Sequence, residues 1–241
     1  MKWFLCVFGL AVLLGGCSKP EQVEQEDPTV SKQVGLGGST LIELAGLGDA
    51  QSQYQLGVMH KEGEGVAKDT QEAGKWFRKA AEQGLAEAQY ELGLLYLAGV
   101  ARDAEEAVSW HRKAAEQGHA GAQCWVGLMY HSLNPVMSNL APNDEEAFTW
   151  YSKAAEQGNA EAQYYLGLMR FNGGEVVAKD MEEAARLWNN SAEQGNAEAQ
   201  YFLGLLYSKG DGVIEDQAEA VRLWSKAAEQ GHKSAQAQLR D

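Results

Sequence analysis

Residues Ala154–Met169 spell AAEQGNAEAQYYLGLM, and this stretch recurs along the chain. The Gly of A-E-Q-G falls at Gly84, Gly118, Gly158, Gly195 and Gly231, with a degenerate copy at Gly48, at intervals of 36, 34, 40, 37 and 36 residues. Self-similarity at that period is the mark of stacked helical repeats, each too small to bury its apolar face alone.

Two helical patterns fill each period. Counting from the junction Gly, position +4 is small (Ser52, Ala88, Ala122, Ala162, Ala199, Ala235), and position +8 is Leu or Val (Leu56, Leu92, Val126, Leu166, Leu203, Leu239). The four-residue step puts both on one helix face. Position +9 is Gly57, Gly93, Gly127, Gly167 and Gly204. A mid-helix Gly costs about 1 kcal/mol relative to Ala, so its recurrence at one register predicts close approach of a neighbouring helix.

The second helix opens on Asp or Asn with Glu three residues later: Asp69/Glu72, Asp103/Glu106, Asn143/Glu146, Asp180/Glu183 and Asp216/Glu219. That spacing predicts a reciprocal capping box. Ala follows each Glu, then a large aromatic. Trp76, Trp110, Trp150, Trp188 and Trp224 are the expected knobs between stacked helix pairs. The helix closes on A-E-Q-G, whose Gly suits a left-handed end.

Together, A-x-x-x-L-G-x-x-Y, a G-x-G-V-x-x-D loop, E-A-x-x-W and A-A-E-Q-G resemble the Sel-1-like repeat, a relative of the tetratricopeptide repeat, over residues 48–241. The resemblance implies an all-α, right-handed solenoid of stacked helix–turn–helix repeats. It places repeats at about 48–83, 84–117, 118–157, 158–194 and 195–230, with a partial repeat at 231–241. The second unit shortens its inter-helix loop to Ala98–Arg102, and the third replaces it with an insertion, residues 131–142, that includes Val136, Met137 and Leu140.

Residues 1–17 carry Lys2, an apolar run from Trp3 to Leu14, and Leu14-Gly15-Gly16-Cys17. A basic start, a short apolar core and small residues before a cut describe a secretory signal. The ending resembles the lipobox of bacterial lipoproteins. That resemblance implies acylation of Cys17 and, with Ser18 next, an outer-membrane address, facing the periplasm or displayed at the surface. Residues 18–40, charged and poor in apolar period, are the expected flexible tether, and residues 41–241 the solenoid.

The formal charge is −14, and without Lys2 it is −15, from 19 basic and 34 acidic side chains. A nucleic-acid footprint needs clustered Lys and Arg, so no nucleic acid is expected, and membrane contact is expected through the lipid alone. Cys124 is the one cysteine left after Cys6 and Cys17, so it has no intrachain disulfide partner.

Catalytic signatures are wanting. The glycine loops Gly63-Glu64-Gly65-Val66 and Gly210-Asp211-Gly212-Val213 follow no strand and precede no G-K-[ST]. Neither H-E-x-x-H, G-x-S-x-G nor S-x-x-K occurs, and His60, His111, His119, His131 and His232 are scattered, expected as surface or groove side chains. No catalytic residue, metal or small-molecule cofactor is expected. Cys124 stands where Tyr54, Tyr90, Tyr164 and Tyr201 stand in other units, as a packing thiol.

By resemblance to the tetratricopeptide groove, positions +3, +6 and +7 face a concave wall. Position +6 supplies Tyr90, Tyr164 and Tyr201; position +7 supplies Glu91, Trp125, Tyr165 and Phe202; position +3 adds Glu87, Glu161 and Glu198. Acids and aromatics there predict a protein partner, an extended segment that is basic or aromatic-rich, on a non-catalytic scaffold. A host-facing factor and a glycan-binding module or envelope enzyme are the alternatives.

Overall fold

The computed structural model describes residues 38–98, 104–131 and 142–240. The expected leader with Cys17, the tether up to residue 37, and most of the inter-helix loops of the second and third units lie outside them. Twelve helices are described, with no strand among the described residues: α1 (Gly38–Gly46), α2 (Ala50–Glu62), α3 (Thr70–Glu82), α4 (Ala86–Leu97), α5 (Ala104–Glu116), α6 (Ala120–Tyr130), α7 (Asp144–Glu156), α8 (Ala160–Asn172), α9 (Met181–Glu193), α10 (Ala197–Lys209), α11 (Gln217–Glu229) and α12 (Lys233–Gln238). Helix starts at Gly38, three residues inside the stretch expected to be tether. The fold is the all-α stack of helical hairpins that the period predicts. Two compact units divide at Ala122/Gln123, and each is described by itself.

Asp103 lies outside the described residues; the other four expected caps hold, with one correction. Asp69 accepts from the N–H groups of Gln71 and Glu72, Asn143 from Glu145 and Glu146, Asp180 from Glu183, and Asp216 from Glu219. The return half of the box is replaced by a tie across the hairpin. The cap N–H of Asp69 donates to the His60 carbonyl at 2.8 Å, Asn143 to Tyr130 at 2.8 Å, Asp180 to Arg170 at 2.8 Å, and Asp216 to Tyr207 at 2.9 Å. The Glu carboxylates turn elsewhere: Glu72 to Lys75, Glu183 to Arg186, Glu219 to Arg222, and Glu106 to the indole N–H of Trp110.

The knobs are also corrected. The ring that enters the stack lies four residues after the conserved-register Ala: Phe77, His111, Tyr151, Trp188 and Trp224, of which the first four are 0% exposed and Trp224 6%. Each ring faces the +9 glycine. A Cβ on Gly57 would sit 2.6 Å from Phe77, on Gly127 2.7 Å from Tyr151, and on Gly167 or Gly204 2.5 Å from the indole nitrogen of Trp188 or Trp224. Trp76, Trp110 and Trp150 stand one residue earlier, Trp76 and Trp150 half-buried and Trp110 packed into the core, with the ammonium groups of Lys79, Lys113 and Lys153 over their rings at 3.8, 3.9 and 4.3 Å from the ring centres. In the last two units Leu187 and Leu223 take that earlier position and are buried.

A buried amide relay binds the layers. At position +5 stand Gln53, Gln89, Gln123, Gln163 and Gln200, each 3–6% exposed. Gln53, Gln89, Gln163 and Gln200 donate to the carbonyls of Ala45, Ala81, Ala155 and Ala192, in the second helix of the preceding hairpin. The same carbonyls accept the N–H of the junction glycines, whose φ runs from 84° to 99°. The Gln of the next A-E-Q-G then donates to the buried amide oxygen: Gln83 to Gln53, Gln117 to Gln89, Gln157 to Gln123, Gln194 to Gln163 and Gln230 to Gln200, at 2.7–2.9 Å. One side chain thus ties three helices.

Gly204→Ala tests the close approach by its sign. Ala gains about 1 kcal/mol of helix propensity, but its Cβ collides with Trp224, and overpacking a filled core costs about 1–3 kcal/mol. Chemical denaturation is expected to show a net loss of stability; a stabilised variant would mean that the indole has room to move.

Candidate partner-binding site

The first helix of each hairpin carries the residues expected to form the wall: a +6 ring meets the knob of its own hairpin, as Tyr54 meets Phe77 and Tyr90 meets His111, and a +7 ring meets the knob of the preceding one, as Tyr165 meets Tyr151 and Phe202 meets Trp188. In the unit up to Ala122, Tyr90 on α4 meets the edge of His111 at 5.6 Å and stacks on His119 at 4.5 Å. Nδ1 of His119 accepts the N–H of Ala122 at 3.1 Å. That nitrogen therefore carries no proton while it caps α6. Glu91 is held by Lys61 at 2.7 Å, and Glu87 is exposed. Burial first, then the carboxylates of Glu91 and Glu87, push the Tyr54 phenol up to about 12.

The unit from Gln123 joins Tyr165, Tyr164, Phe202 and Tyr201 into one connected row of rings. Tyr165 on α8 stacks on Tyr151 at 5.3 Å with 12° between planes, and Tyr164 meets Tyr165 at 5.0 Å. Tyr164 reaches Phe202 on α10 at 6.1 Å; Phe202 packs on Trp188 at 5.1 Å and Tyr201 at 5.3 Å. Tyr201 stacks on His232 at 4.6 Å. The knobs fix the backbone beneath this row: Trp188 and Trp224 donate their indole N–H to the carbonyls of Tyr164 and Tyr201 at 3.1 and 3.2 Å. Tyr164, Tyr165, Tyr201, Phe202 and Trp125 are all half-buried, with one side packed and one open.

The charges around the row are unequal. Nε2 of His232 lies 3.2 Å from a Glu198 oxygen while its Nδ1 accepts the N–H of Ala235 and caps α12. Glu161 has no hydrogen bond or salt bridge among the described residues. It keeps an exposed surface, yet the protein packed around its carboxyl pushes that group above the usual carboxylate range. Burial, then nearby acids, raises the phenols of Tyr164 and Tyr201; for Tyr165 burial comes first, then Cys124 and the acids. Cys124 is a free, buried thiol, driven well up by burial and then by Glu161. Among the described residues, no group of three His, Cys, Asp or Glu is placed to hold a metal ion.

The structure thus places Tyr90, Glu91 and Glu87 in one unit, and Trp125, Tyr164, Tyr165, Tyr201, Phe202, Glu161 and Glu198 in the other. One histidine is corrected from its expected place at the surface or groove: His111 is a buried core knob. His119 and His232 are half-buried, stack on Tyr90 and Tyr201, and serve as helix caps. The residue after the junction glycine was the available signal. It is Asp49, His119, Asn159, Asn196 or His232, each with a side-chain acceptor used as a cap, and only Leu85 of that register caps with no side-chain bond.

The family model of the Sel1 repeat matches residues 50–85, 86–119, 120–159, 160–196 and 197–232. Among solved structures, a Sel1 repeat protein from Oxalobacter formigenes is 34% identical, with 81% of this chain and 83% of that one covered, at a TM-score of 0.69. A protective antigen of uropathogenic Escherichia coli strains, displaying an SLR fold, is 35% identical at a TM-score of 0.74. The match covers 83% of this chain but only 42% of the antigen. An immunity protein from Pseudomonas aeruginosa, 23% identical with 77% of this chain and 66% of its own covered, shares the fold at a TM-score of 0.52. No protein of curated function matches the chain.

His111 gives this frame a pH dependence. Burial lowers its pKa from the ordinary 6.5 to about 4, against a smaller upward pull from the Ala107 carbonyl. A depressed histidine stabilises the fold fully above about pH 6.5, and that contribution drains as pH falls toward 4. By linkage its size is up to about 3 kcal/mol. His111→Phe, which installs the ring that Phe77 supplies in the first repeat, is expected to flatten the fall in denaturation midpoint between pH 7.5 and 4.5. Parallel pH profiles for both proteins would remove His111 as the cause.

Proposed function

The chain belongs to the Sel1-repeat family, and from that premise we propose that it is a non-catalytic scaffold holding a protein partner on the first-helix face of its repeats. Sel1 repeats serve protein–protein interaction in general. The observation that carries the reading here is the ring row of the unit from Gln123. Tyr165, Tyr164, Phe202 and Tyr201 are anchored from below by the knobs and the backbone, yet each keeps an open side. Rigid, half-buried aromatics lose little side-chain entropy on binding and dominate interface energetics.

The scaffold is proposed to be a lipoprotein of the bacterial outer membrane, facing the periplasm and acylated at Cys17. The leader ending in Leu14-Gly15-Gly16-Cys17 supports that address. A second reading, display at the cell surface, is favoured by one observation, the 35% identity to a protective antigen. Protease treatment of intact cells separates them: cleavage without permeabilisation belongs to display, and protection to the periplasmic face.

Crosslinking in intact envelopes, followed by mass spectrometry, tests the face itself. Trp125→Ala and Phe202→Ala, each shown by circular dichroism to keep its helical content, are expected to lose the principal crosslinked partner by roughly tenfold, as removal of an interface aromatic does. Lys226→Ala, on an exposed part of α11, is the matched control. Undiminished crosslinks in both aromatic variants would remove this face as the binding surface.

A further inference from the structure

Resting on that reading, the geometry points to an extended cationic peptide segment, with Arg or Lys at every third position, as the ligand of the aromatic row in the unit from Gln123. Three observations converge on this chemistry.

The first is register. Glu161 and Glu198 both lie three residues after a junction glycine, on α8 and α10. Those helices touch through Tyr164 and Phe202, with ring centres 6.1 Å apart. A segment in the extended polyproline II conformation has three residues per turn and advances about 3.1 Å per residue. Crossing from one first helix to the next in that conformation, it turns every third side chain to the same side, toward the same register.

The second is unmet charge. Glu91 already has Lys61, and Glu198 has, among the described residues, only the ring N–H of His232. Glu161 has no hydrogen bond or salt bridge among the described residues, and surrounding protein penalises its charged form. A cation arriving there relieves a cost that the free protein already bears. An acidic segment would add repulsion at both carboxylates, and the overall charge of −14 steers in the same sense.

The third is the company of the acids. Tyr164 and Tyr165 follow Glu161 by three and four residues, so all three project from one side of α8. Tyr201 and Phe202 repeat the arrangement after Glu198 on α10. A carboxylate beside an open ring suits a guanidinium, which bonds to the first and stacks on the second, better than a compact ammonium.

The test uses the full chain and three fluorescein-labelled dodecapeptides in polarisation titrations at about 0.1 M salt. One is four repeats of Arg-Tyr-Ser, one has the same composition with its arginines contiguous, and one is four repeats of Glu-Tyr-Ser. The spaced-arginine peptide is expected to bind at least about tenfold tighter than either other, and isosteric Glu161→Gln to weaken it by roughly five- to tenfold. Glu145→Gln, exposed on α7, should leave it unchanged, and matching melting curves establish that all variants are folded. Equal affinity for spaced and contiguous arginines, or full retention by Glu161→Gln, overturns the inference. If that happens while Trp125→Ala and Phe202→Ala still lose their native crosslinks, the cationic ligand alone is wrong; if the crosslinks also persist, the binding face falls with it.

Discussion

A buried glutamine at one register of every first helix is the constraint on which the rest of the stack depends. An amide taken out of water must find partners, and one left unsatisfied costs about 1–3 kcal/mol. Here the amide N–H reaches a carbonyl in the preceding second helix, and the amide oxygen receives the Gln that precedes the next junction glycine. Sliding one helix against its neighbours by a residue would strand that amide in every repeat. Apolar packing of Ala, Leu and Gly tolerates small shifts in register; directional bonds to a buried amide do not. The relay supplies the specificity, and the apolar faces supply the bulk of the stabilisation.

The relay also explains why four separated letters of the repeat travel together. The Ala three residues before each junction glycine lends its carbonyl, which takes both the glycine N–H and the buried amide. The left-handed glycine turns the chain so that the next helix starts within reach of that carbonyl. The Gln before it closes the bond from the following repeat. With the layers held so, a bare +9 glycine lets a ring lie directly on the helix backbone, and the knob in turn bonds to or packs beneath the +6 tyrosine. The orientation of the first-helix face is thus inherited from the packing below it.

Legibility in the sequence followed the physics of each feature. The period, the helix boundaries, the second-helix caps and the tight +9 contacts were readable because each rests on a local pattern or on a residue type with one strong reason to be there. The knobs were misplaced because Trp-Phe, Trp-His and Trp-Tyr put two bulky residues side by side. Only the shared spacing from Ala73, Ala107 and Ala147 tells which ring turns inward. His111 was hidden further by its polarity, although its neighbours at that register are Phe77, Tyr151 and two tryptophans. The glutamines were passed over because an amide is at home both in water and in the core. Pairings such as Lys61–Glu91 and His232–Glu198 join residues 30 or more positions apart, beyond any helical spacing.

One face cannot be wholly structural and wholly open at once, and the two first-helix registers divide that labour unequally along the chain. In the unit up to Ala122, Tyr90 is sandwiched between two histidines and Glu91 is spent on Lys61, so little of the wall is left uncommitted. In the unit from Gln123, position +7 changes from acid to Tyr165 and Phe202, and the rings link laterally where the other unit forms a salt bridge. At +3, Glu198 meets His232, while Glu161 has no hydrogen bond or salt bridge among the described residues and burial raises its pKa. Packing alone gives no reason to leave a carboxylate without a counterion beside a row of half-open rings. A surface kept for a ligand would, and that difference between two units built on one repeat is what supports the proposed binding face.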